Sequence, residues 1–268
     1  MTSFELTKIN IKKITPDGKS HWVLENINLG FESNHRIGLL GKNGSGKTTL
    51  VRIISRLDKV SKGRLSIHPK ETRVTIMLQR PEEHFLRATV GEQINSYAPK
   101  SLSHDAIYKL MDQVGLATEI AKLPPIRLST GQQRLVAIAC VIATESLFLI
   151  FDEPMAGLDA NGRRLIKQAL TNIHSEHNKG WIIVSHHPDD LLGLVDRLWI
   201  MDQGKLINDS PFHHPDLTKL KACMSTNDIS LYYLLTRLEA KGINIPDEIY
   251  NKPTRENLIS ALNGVKYC

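Results

Sequence analysis

Apolar and polar residues mostly alternate in two segments near the start of this 268-residue chain. The first segment covers residues 4–11 and the second covers residues 21–29, with a Thr-Pro-Asp-Gly turn between them. Alternation with a period of two is typical of a β-strand that has one buried and one exposed face. We therefore predict two half-buried strands.

Short, almost wholly apolar segments further along predict buried strands, and they lie at residues 36–40, 74–78, 147–151 and 181–184. Regions with helical spacing of apolar residues separate them, for example residues 48–57 and 163–173. Strands that alternate with helices predict an α/β fold with a parallel sheet. The helical stretch at about residues 85–145 would then be an inserted helical subdomain.

The character of the chain changes near its last quarter, where residues 210–215 have the composition of a linker. Leucine-rich segments at 229–238 and 257–262 then predict two short helices. We predict one domain over residues 1–209 and a small helical extension over residues 210–268. The extension is too small to be stable by itself, so we expect it either to pack on the main domain or to mediate dimerisation.

Charge and composition narrow the possible functions only slightly. The net charge of +6 and the isoelectric point near 9.2 permit a nucleotide, an anionic membrane surface or a nucleic acid as partner. The three cysteines have no metal-ligand or disulfide spacing. No segment approaches the roughly 20 apolar residues of a membrane span, and the first residues lack the apolar region of a signal peptide. We expect a soluble protein in a reducing compartment, with any membrane role exerted through a partner.

A glycine-rich motif joins the apolar segment 36–40 to the helical segment that follows it. The motif fits the P-loop pattern G-x-x-x-x-G-K-[ST], in which backbone N–H groups and a helix N-terminus surround a polyphosphate. We expect the Lys47 ammonium to contact the β- and γ-phosphates and the Thr48 hydroxyl to bind Mg²⁺. The candidate nucleotide-binding residues of this loop are Gly41, Asn43, Gly44, Ser45, Gly46, Lys47, Thr48 and Thr49.

Two carboxylates follow directly on the apolar segment 147–151. Asp152 suits coordination of Mg²⁺, and Glu153 lies one residue further along, where a general base could polarise water against a γ-phosphate. An acidic pair at a strand end carries little information by itself. In an α/β chain that also has a P-loop, the pair predicts nucleotide hydrolysis.

Further motifs resemble those of the ATP-binding-cassette (ABC) ATPases. Residues 128–134 read Leu-Ser-Thr-Gly-Gln-Gln-Arg, which is similar to the signature sequence of that family. Gln79 resembles the Q-loop glutamine, residues 156–159 resemble the D-loop, and His186 resembles the switch histidine. The motifs follow the family's order over roughly residues 4–208. The resemblance implies a P-loop ATPase with a parallel-sheet core, an antiparallel β subdomain and a helical signature subdomain.

The resemblance also implies a mechanism that uses ATP and Mg²⁺. ABC ATPases form head-to-tail dimers in which each ATP lies between the P-loop of one subunit and the signature of the other. Glu153, His186 and Gln79 would be catalytic, and Mg²⁺ would be bound by Thr48, Gln79 and Asp152. The signature and D-loop residues that would contact ATP are Ser129, Gly131, Gln132 and Asp159.

Three departures from the family pattern lead to further expectations. Thr130 stands where the signature usually has glycine, and Met155 stands where a small residue often follows Glu-Pro. Residues 9–14 contain no aromatic side chain, although the family usually places an aromatic ring there against adenine. We therefore expect weaker and less base-selective nucleotide binding.

The tryptophans are expected in the core, namely Trp22, Trp181 and Trp199.

Residues 79–85 read Gln-Arg-Pro-Glu-Glu-His-Phe and resemble the Q-loop of the ATPases in energy-coupling-factor (ECF) transporters, which take up vitamins and metal ions. In that family the region forms a groove for a coupling helix of the membrane protein. Segments 228–242 and 253–258 resemble the C-terminal extension that holds two ECF ATPases together. An acidic surface loop and a helix docked on its own domain are the alternatives for these two features.

Our main hypothesis is an ATP-hydrolysing subunit that energises an ECF-type importer at the cytoplasmic face of the membrane. Its expected partners are an integral membrane coupling protein, a substrate-binding membrane protein and a second ATPase subunit in a homodimer or heterodimer, with no nucleic acid. One alternative is the ATPase of another ABC importer or exporter. A soluble ABC ATPase of DNA repair or translation is a further alternative, although the chain has neither a long coiled-coil insertion nor a second cassette.

Overall fold

The computed structural model describes residues 2–14, 20–177, 179–212, 215–223, 231–240, 245 and 249–250. The strands in these ranges are β1 (Ser3–Ile14), β2 (Ser20–Glu32), β3 (Arg36–Leu40), β4 (Lys62–His68), β5 (Val74–Met77), β6 (Phe148–Asp152), β7 (Gly180–Ser185), β8 (Arg197–Asp202) and β9 (Lys205–Pro211). The helices are α1 (Lys47–Ile54), α2 (Val90–Asn95), α3 (His104–Gln113), α4 (Thr130–Ala143), α5 (Ala160–His177), α6 (Leu217–Cys223) and α7 (Leu231–Glu239). Short 3₁₀ helices lie at Pro81–His84, Thr118–Lys122, Pro125–Arg127 and Pro188–Leu191.

The central sheet has the strand order β5-β6-β7-β3-β8-β9. All neighbouring pairs are parallel except β8 and β9, which are antiparallel. Every residue of β6 and of β7 is buried. Strands that are covered on both faces read as continuous apolar runs, which explains the apolar segments of the sequence. The predicted parallel α/β sheet is confirmed.

A second, antiparallel sheet has the order β2-β1-β4 and covers one face of the central sheet. Its alternating pattern buries Phe4 and Leu6 on the inner side. The ring of Phe4 stacks on that of Phe31 with a centroid separation of 4.5 Å, and both rings contact Phe148 of β6. The two half-buried strands predicted at the start of the chain are therefore confirmed as β1 and β2.

Two apolar clusters lie on opposite faces of the central sheet. Phe148 and Ile150 belong to the cluster under the antiparallel sheet, whereas Leu149 and Phe151 belong to the cluster under α4 and α5. Successive side chains of a strand point to opposite faces, so one strand supplies both clusters. The central sheet is thus the layer between two apolar clusters.

The helical region between β5 and β6 begins each main helix with a side-chain cap. Ser103 accepts a hydrogen bond from the Ala106 N–H at 3.2 Å and begins α3. Ser129 caps α4 in the same way, and residues 134–143 of α4 are all buried. Ser and Thr satisfy backbone N–H groups that the first helical turn leaves without partners. Both serines therefore serve as N-caps of the helices that follow them.

One of the three tryptophans does not lie where we predicted. Trp181 and Trp199 have no exposed surface, but 40% of Trp22 is exposed. A register shift between β1 and β2 places Trp22 opposite Lys12, whose ammonium lies 5.6 Å from the ring centre. The shift moves Trp22 away from the buried face on which Leu24 lies. The prediction of a core Trp22 was therefore wrong.

The end of the described chain packs into the larger apolar cluster. β9 extends to Pro211 through its pairing with β8, and the following Phe212 is fully buried. The expected linker therefore begins as a strand, since its backbone pairs with β8 and Phe212 packs in the core. Tyr232 and Leu235 of α7 belong to the same cluster. The domain boundary at residue 209 stays a prediction, and segments 253–258 and 257–262 lie outside the described residues.

Within the described ranges, we find no helix that combines the length and the apolar character needed to span a bilayer.

Candidate functional site

The ends of neighbouring parallel strands bring the predicted nucleotide-binding residues to one edge of the sheet. Leu40 of β3 lies opposite Ser185 of β7, and Asp152 of β6 lies opposite Val184. β5 pairs in parallel with β6 and ends beside it. Ligands of open α/β sheets bind at the carboxyl ends of the strands. This edge carries the P-loop and the predicted catalytic residues Gln79, Glu153 and His186.

Close backbone approach requires glycine at two positions of the P-loop. Gly41 has a φ of +156°, and a Cβ there would lie 2.4 Å from the carbonyl oxygen of Met201. Gly46 precedes α1 with a φ of +103°, and a Cβ there would lie 2.9 Å from the carbonyl oxygen of Val23. The loop thus passes tightly between β2 and β8. Its N–H groups and the first turn of α1 form the kind of backbone surface that binds phosphate.

Lys47 is the buried cation of this loop. Its Nζ donates to the carbonyl oxygen of Gly41 at 2.7 Å and to that of Lys42 at 3.1 Å. These bonds fold the side chain back over the loop, so that the ammonium stays beside the loop's own backbone. The other candidate residues divide by exposure: Ser45 and Thr49 are buried, whereas Asn43, Gly44 and Thr48 are exposed.

Asp152 is a fully buried carboxylate at the end of β6. Within the part of the chain that the structure describes, neither of its oxygens makes a hydrogen bond of standard geometry. Burial raises the pKa of Asp152 to about 6, while the nearby Thr48 hydroxyl and Lys47 ammonium act to lower that pKa. A buried carboxylate without partners is stabilised by a cation that offers it positive charge. The oxygens of Asp152 and Thr48 therefore fit a metal ion that prefers oxygen ligands.

Glu153 and His186 form a direct pair. Nδ1 of His186 lies 2.8 Å from Oε2 and 3.0 Å from Oε1 of Glu153. Glu153 has a φ of +53°, which is uncommon for a residue with a side chain, and its N–H donates to the Val184 carbonyl oxygen at 3.1 Å. Backbone strain of this kind is concentrated at functional sites. The turn after β6 thus holds a carboxylate against an imidazole at the sheet edge.

The signature turn satisfies its own polar groups. The Ser129 N–H donates to Oε1 of Gln132 at 3.1 Å, and the Gln132 N–H donates to Oγ of Ser129 at 3.3 Å. Ser129 and Thr130 are exposed, and a Cβ added at Gly131 would meet nothing within 4 Å. The turn therefore faces outward at the start of α4, and its own chain leaves space beside it.

A buried arginine connects the Q-loop to the signature helix. Nη1 of Arg134 donates to the backbone carbonyl oxygen of Gln79, whose side chain is exposed. Burial lowers the pKa of Arg134, and the Glu82 carboxylate acts in the opposite direction. The two bonded residues are 55 positions apart. We did not predict this contact, because no sequence pattern links residues at such a separation.

The D-loop is tied to the segment after His186. Asp159 begins α5, where its Oδ1 accepts a backbone N–H at 2.7 Å. Nε of Arg163 donates to the Leu158 carbonyl oxygen at 3.2 Å, and its Nη1 donates to Oδ1 of Asp190 at 2.6 Å. Neither Arg163 nor Asp190 stands out in the sequence, because a single basic and a single acidic residue most often lie on a solvated surface.

A groove of about 450 Å³ opens beside the Q-loop, between α1, β5 and α4. Its lining is mostly apolar and includes Leu57, Ile76, Phe85, Leu86, Tyr97 and Val141. Leu57 is 52% exposed and Leu86 is 84% exposed, although both are large apolar side chains. Exposed apolar side chains that converge on one groove indicate a binding surface for another molecule.

Comparison with curated proteins identifies close relatives over most of the chain. The energy-coupling factor transporter ATP-binding protein EcfA2 of Caldanaerobacter subterraneus subsp. tengcongensis is 31% identical over 265 residues, with 91% of this chain and 92% of the relative covered. The protein of the same name from Clostridium tetani is 32% identical over 265 residues, with 90% and 91% covered. A family model described as ABC transporter matches residues 24–156.

Solved structures have the same fold. The ATP-binding cassette MJ0796, in a dimeric post-hydrolysis state bound to ADP and Pi, gives a TM-score of 0.68 at 21% identity and covers 78% of this chain and 98% of its own. CbiO1 from Clostridium perfringens, described as part of the ABC transporter complex cbiONQ, gives a TM-score of 0.66 at 27% identity and covers 77% of this chain and 87% of its own. The predicted ABC ATPase fold is confirmed. The chain belongs to the ATP-binding proteins of energy-coupling factor transporters, and it is an ABC-type ATP hydrolase.

Proposed function

We propose that this chain hydrolyses ATP as one of two ATP-binding subunits and thereby drives an ECF-type importer of vitamins or metal ions. One observation carries the proposal: Glu153 contacts His186 at the sheet edge that also holds Lys47 and Asp152. A positioned carboxylate beside a phosphate-binding loop suits transfer of a phosphoryl group to water.

Glu153 acts as the general base in this proposal. Its carboxylate accepts a proton from the attacking water, whose oxygen bonds to the γ-phosphorus while the bond to the β-phosphate oxygen breaks. ADP and inorganic phosphate are the products. His186, held within hydrogen-bonding distance of Glu153, donates to the γ-phosphate, and Gln79 orients the water. Lys47 and the backbone N–H groups of the P-loop bind the phosphate chain and neutralise part of its negative charge.

Mg²⁺ is the metal that this site fits. It prefers oxygen ligands in octahedral geometry and is often held by one or two carboxylates together with substrate phosphates. The Asp152 carboxylate and the Thr48 hydroxyl would hold it, with Gln79 as a further protein ligand; the buried oxygens of Asp152 support this assignment. When bound, Mg²⁺ supplies positive charge to the phosphate oxygens.

A second ATP-binding subunit completes each site, in a homodimer or a heterodimer. Ser129, Gly131, Gln132 and Asp159 of one subunit would contact the ATP bound to the P-loop of the other. The outward orientation of the signature turn and the open space beside Gly131 support this arrangement. The N-terminus of α4 also offers a favourable position for phosphate charge.

The apolar groove beside the Q-loop is the proposed contact with the membrane protein. Its occupant would be an amphipathic helix of an integral membrane coupling protein, with the apolar face of that helix against Leu57, Phe85 and Leu86. A separate substrate-binding membrane protein would select the cargo. In this arrangement the chain would lie at the cytoplasmic face of the membrane as a peripheral subunit. CbiO1, which has the same fold, is part of the ABC transporter complex cbiONQ, and this supports a contact with other transporter subunits.

The Glu153→Gln variant tests the chemical part of the proposal. The amide keeps the size of the carboxylate but cannot accept the proton, so we expect near wild-type ATP affinity, turnover lowered about 10²–10⁴-fold and accumulation of an ATP-bound dimer. Steady-state ATPase assays and size-exclusion chromatography with MgATP measure these effects. Glu145→Gln, at an exposed glutamate, is the matched control. Normal turnover in the Glu153→Gln variant would remove Glu153 from its role.

A tagged pull-down from detergent-solubilised membranes tests the membrane part. We expect recovery of a helical coupling protein together with a small substrate-binding membrane protein, identified by mass spectrometry. The double variant Leu57→Glu and Leu86→Glu should lose both partners, because it places charge in the apolar groove. Recovery of two large transmembrane subunits would favour another ABC transporter, and recovery of no membrane protein would favour the soluble ABC class.

A further inference from the structure

The first turn of α7 contacts the 3₁₀ helix Pro188–Leu191, which begins two residues after His186. The backbone N–H of Tyr232 donates to Oδ1 of Asp189 at 2.9 Å, across 43 positions of sequence. The N–H groups of a first helical turn have no partner within the helix, and a carboxylate there is favoured by the helix dipole. Asp189 therefore caps α7 from a distant part of the chain.

The same 3₁₀ helix is connected to the residues on both sides of His186 through the Ser185 hydroxyl. Asp190 is buried, and its Oδ2 accepts a hydrogen bond from Oγ of Ser185 at 3.0 Å. The Ser185 hydroxyl also accepts the backbone N–H of His187 at 3.0 Å. Movement of the 3₁₀ helix would therefore pull on the residues directly before and after His186.

Two further contacts hold the 3₁₀ helix against α5. Nζ of Lys167 donates to the backbone carbonyl oxygen of Asp189 at 2.5 Å. Arg163 bonds Asp190 and also the D-loop carbonyl of Leu158. The segment after His186 is thus fixed by α5 on one side and by the start of α7 on the other.

Tyr232 anchors the start of α7 in the core. It has no exposed surface, and its ring stacks on Phe212 with centroids 4.3 Å apart and an interplanar angle of 15°. Its hydroxyl donates to the Phe212 carbonyl oxygen. Because β9 leads directly into Phe212, the start of α7 is attached to the central sheet and cannot shift without disturbing the core.

We propose that α7 braces the segment after His186 through Asp189, which makes Asp189 a positioning residue for the Glu153–His186 pair. The inference rests on the roles proposed above for these two residues. It gives the C-terminal extension a function within its own chain: whatever binds the extension would act on hydrolysis through the contact between Tyr232 and Asp189. Catalysis depends on sub-ångström placement of reacting groups, so loosening this contact should slow turnover without weakening ATP binding.

Paired substitutions of Asp189 in the full-length chain test the brace. Asp189→Ala removes the acceptor for the Tyr232 N–H, whereas Asp189→Asn keeps an oxygen at the same position. We expect the Ala variant to lower kcat for ATP about tenfold with KM changed less than about twofold, and the Asn variant to retain most of the activity. Amide hydrogen exchange at residues 186–191 should accelerate in the Ala variant alone.

The control is Tyr250→Phe, which removes the 2.8 Å bond from Tyr250 to Glu239 at the far end of α7 and should leave kcat unchanged. Wild-type kcat and exchange in the Asp189→Ala variant would overturn the brace, as would equal losses in the Ala and Asn variants. If the Ala variant does not fold, Asp189→Ser, which shortens the acceptor, takes its place with the same expected result. Normal turnover in Glu153→Gln would instead remove the proposed catalytic pair, so the two failures are distinguishable.

Discussion

The sheet edge that holds Asp152 and the signature turn that begins at Ser129 differ in how far the chain satisfies their polar groups. At the edge, the carboxylate oxygens of Asp152 are buried without hydrogen bonds in the described part of the chain. At the turn, Ser129 and Gln132 bond to each other and face solvent. Burial without partners costs free energy, whereas an exposed capping box is stable by itself.

This contrast distinguishes the two halves of the site. At the edge, a buried carboxylate lacks a hydrogen bond in the described part of the chain, so a bound cation would stabilise it. The turn needs nothing further from its own chain, which leaves it available to another molecule. The comparison can be tested by changing each half separately, and the predictions below run from the largest expected effect to the smallest.

Lys47→Ala should have the largest effect, because it removes the buried cation of the edge. We expect ATP affinity to fall at least about 100-fold, since charge-assisted bonds to phosphate are worth about 1.5–3 kcal/mol each. Titration calorimetry with ATP measures the loss. The control is Lys42→Ala, an exposed lysine of the same loop, which should change the affinity less than about threefold. Equal losses in both variants would contradict a special role of Lys47.

Asp152→Asn should stabilise the nucleotide-free protein in a pH-dependent manner. The pKa of Asp152 is about 6 in the folded chain and near 4 when unfolded, so between these values the folded protein binds more protons than the unfolded chain. The penalty of its buried charge is therefore absent near pH 4, grows as pH rises and is complete above about pH 6. At neutral pH the variant should be more stable than the wild type by roughly 2–3 kcal/mol.

Urea unfolding between about pH 4.5 and 7.5 measures this stability difference, which should shrink as the pH falls below about 6. Asp112→Asn, at an exposed position of α3, serves as control and should show no such trend. A stability difference that stays constant across the range would show that the Asp152 carboxylate does not titrate in this window.

The Gly131→Asp variant tests the signature turn without changing the sheet edge. A Cβ at this position meets nothing within 4 Å, and an acidic residue is favoured in the first turn of a helix, so the chain should fold normally. The added charge would repel the phosphate bound by the partner subunit. We expect ATP affinity of the single subunit within about twofold of wild type and ATP-dependent dimerisation weakened roughly tenfold or more.

Analytical ultracentrifugation in the Glu153→Gln background measures the dimerisation of the Gly131→Asp variant. Gly131→Asn is the matched control, because the asparagine side chain has the shape of aspartate without its charge. This variant should dimerise more tightly than the Gly131→Asp variant. Unchanged dimerisation in the Gly131→Asp variant would show that the turn does not meet a second nucleotide.

The smallest expected effect concerns selectivity for the purine base of the nucleotide. Residues 9–14 carry no aromatic ring, and base stacking on such a ring is worth about 1–3 kcal/mol. We therefore expect the affinities for ATP and GTP to agree within about threefold in a competition assay. Trp22→Ala is the informative control: if it weakens ATP binding, the exposed Trp22 supplies the missing stacking surface. Tight binding that is specific for adenine would contradict the expectation.

Features that depend on a few consecutive residues were predictable from sequence. The P-loop could be recognised because close backbone approach requires glycine at Gly41 and Gly46. The caps at Ser103 and Ser129 follow from hydrogen bonds that span three residues. Alternation predicted the half-buried strands β1 and β2, and apolar runs predicted the parallel sheet, because burial on one or two faces leaves different patterns. The roles of individual site residues stay predictions until the variants above are measured.

Features that depend on pairing between distant segments were not predictable. The exposure of Trp22 follows from a register shift between β1 and β2, which no periodicity records. The bonds from Arg134 to Gln79 and from Arg163 to Asp190 each join different elements. The first residues of the expected linker form the end of β9 and a buried Phe212, because they pair with β8 and pack in the core, and their own composition does not record these contacts.

The sequence by itself determined the family, the order of the motifs and the chemistry available to them. Each motif consists of neighbouring residues, and their spacing suits a phosphate, a metal ion or a water molecule. The tertiary structure decided which of these groups meet. It placed Glu153 against His186, left Asp152 buried without a hydrogen bond among the described residues and connected α7 to the segment after His186. These contacts arise from strand register and core packing, which are properties of the whole chain and have no local signature.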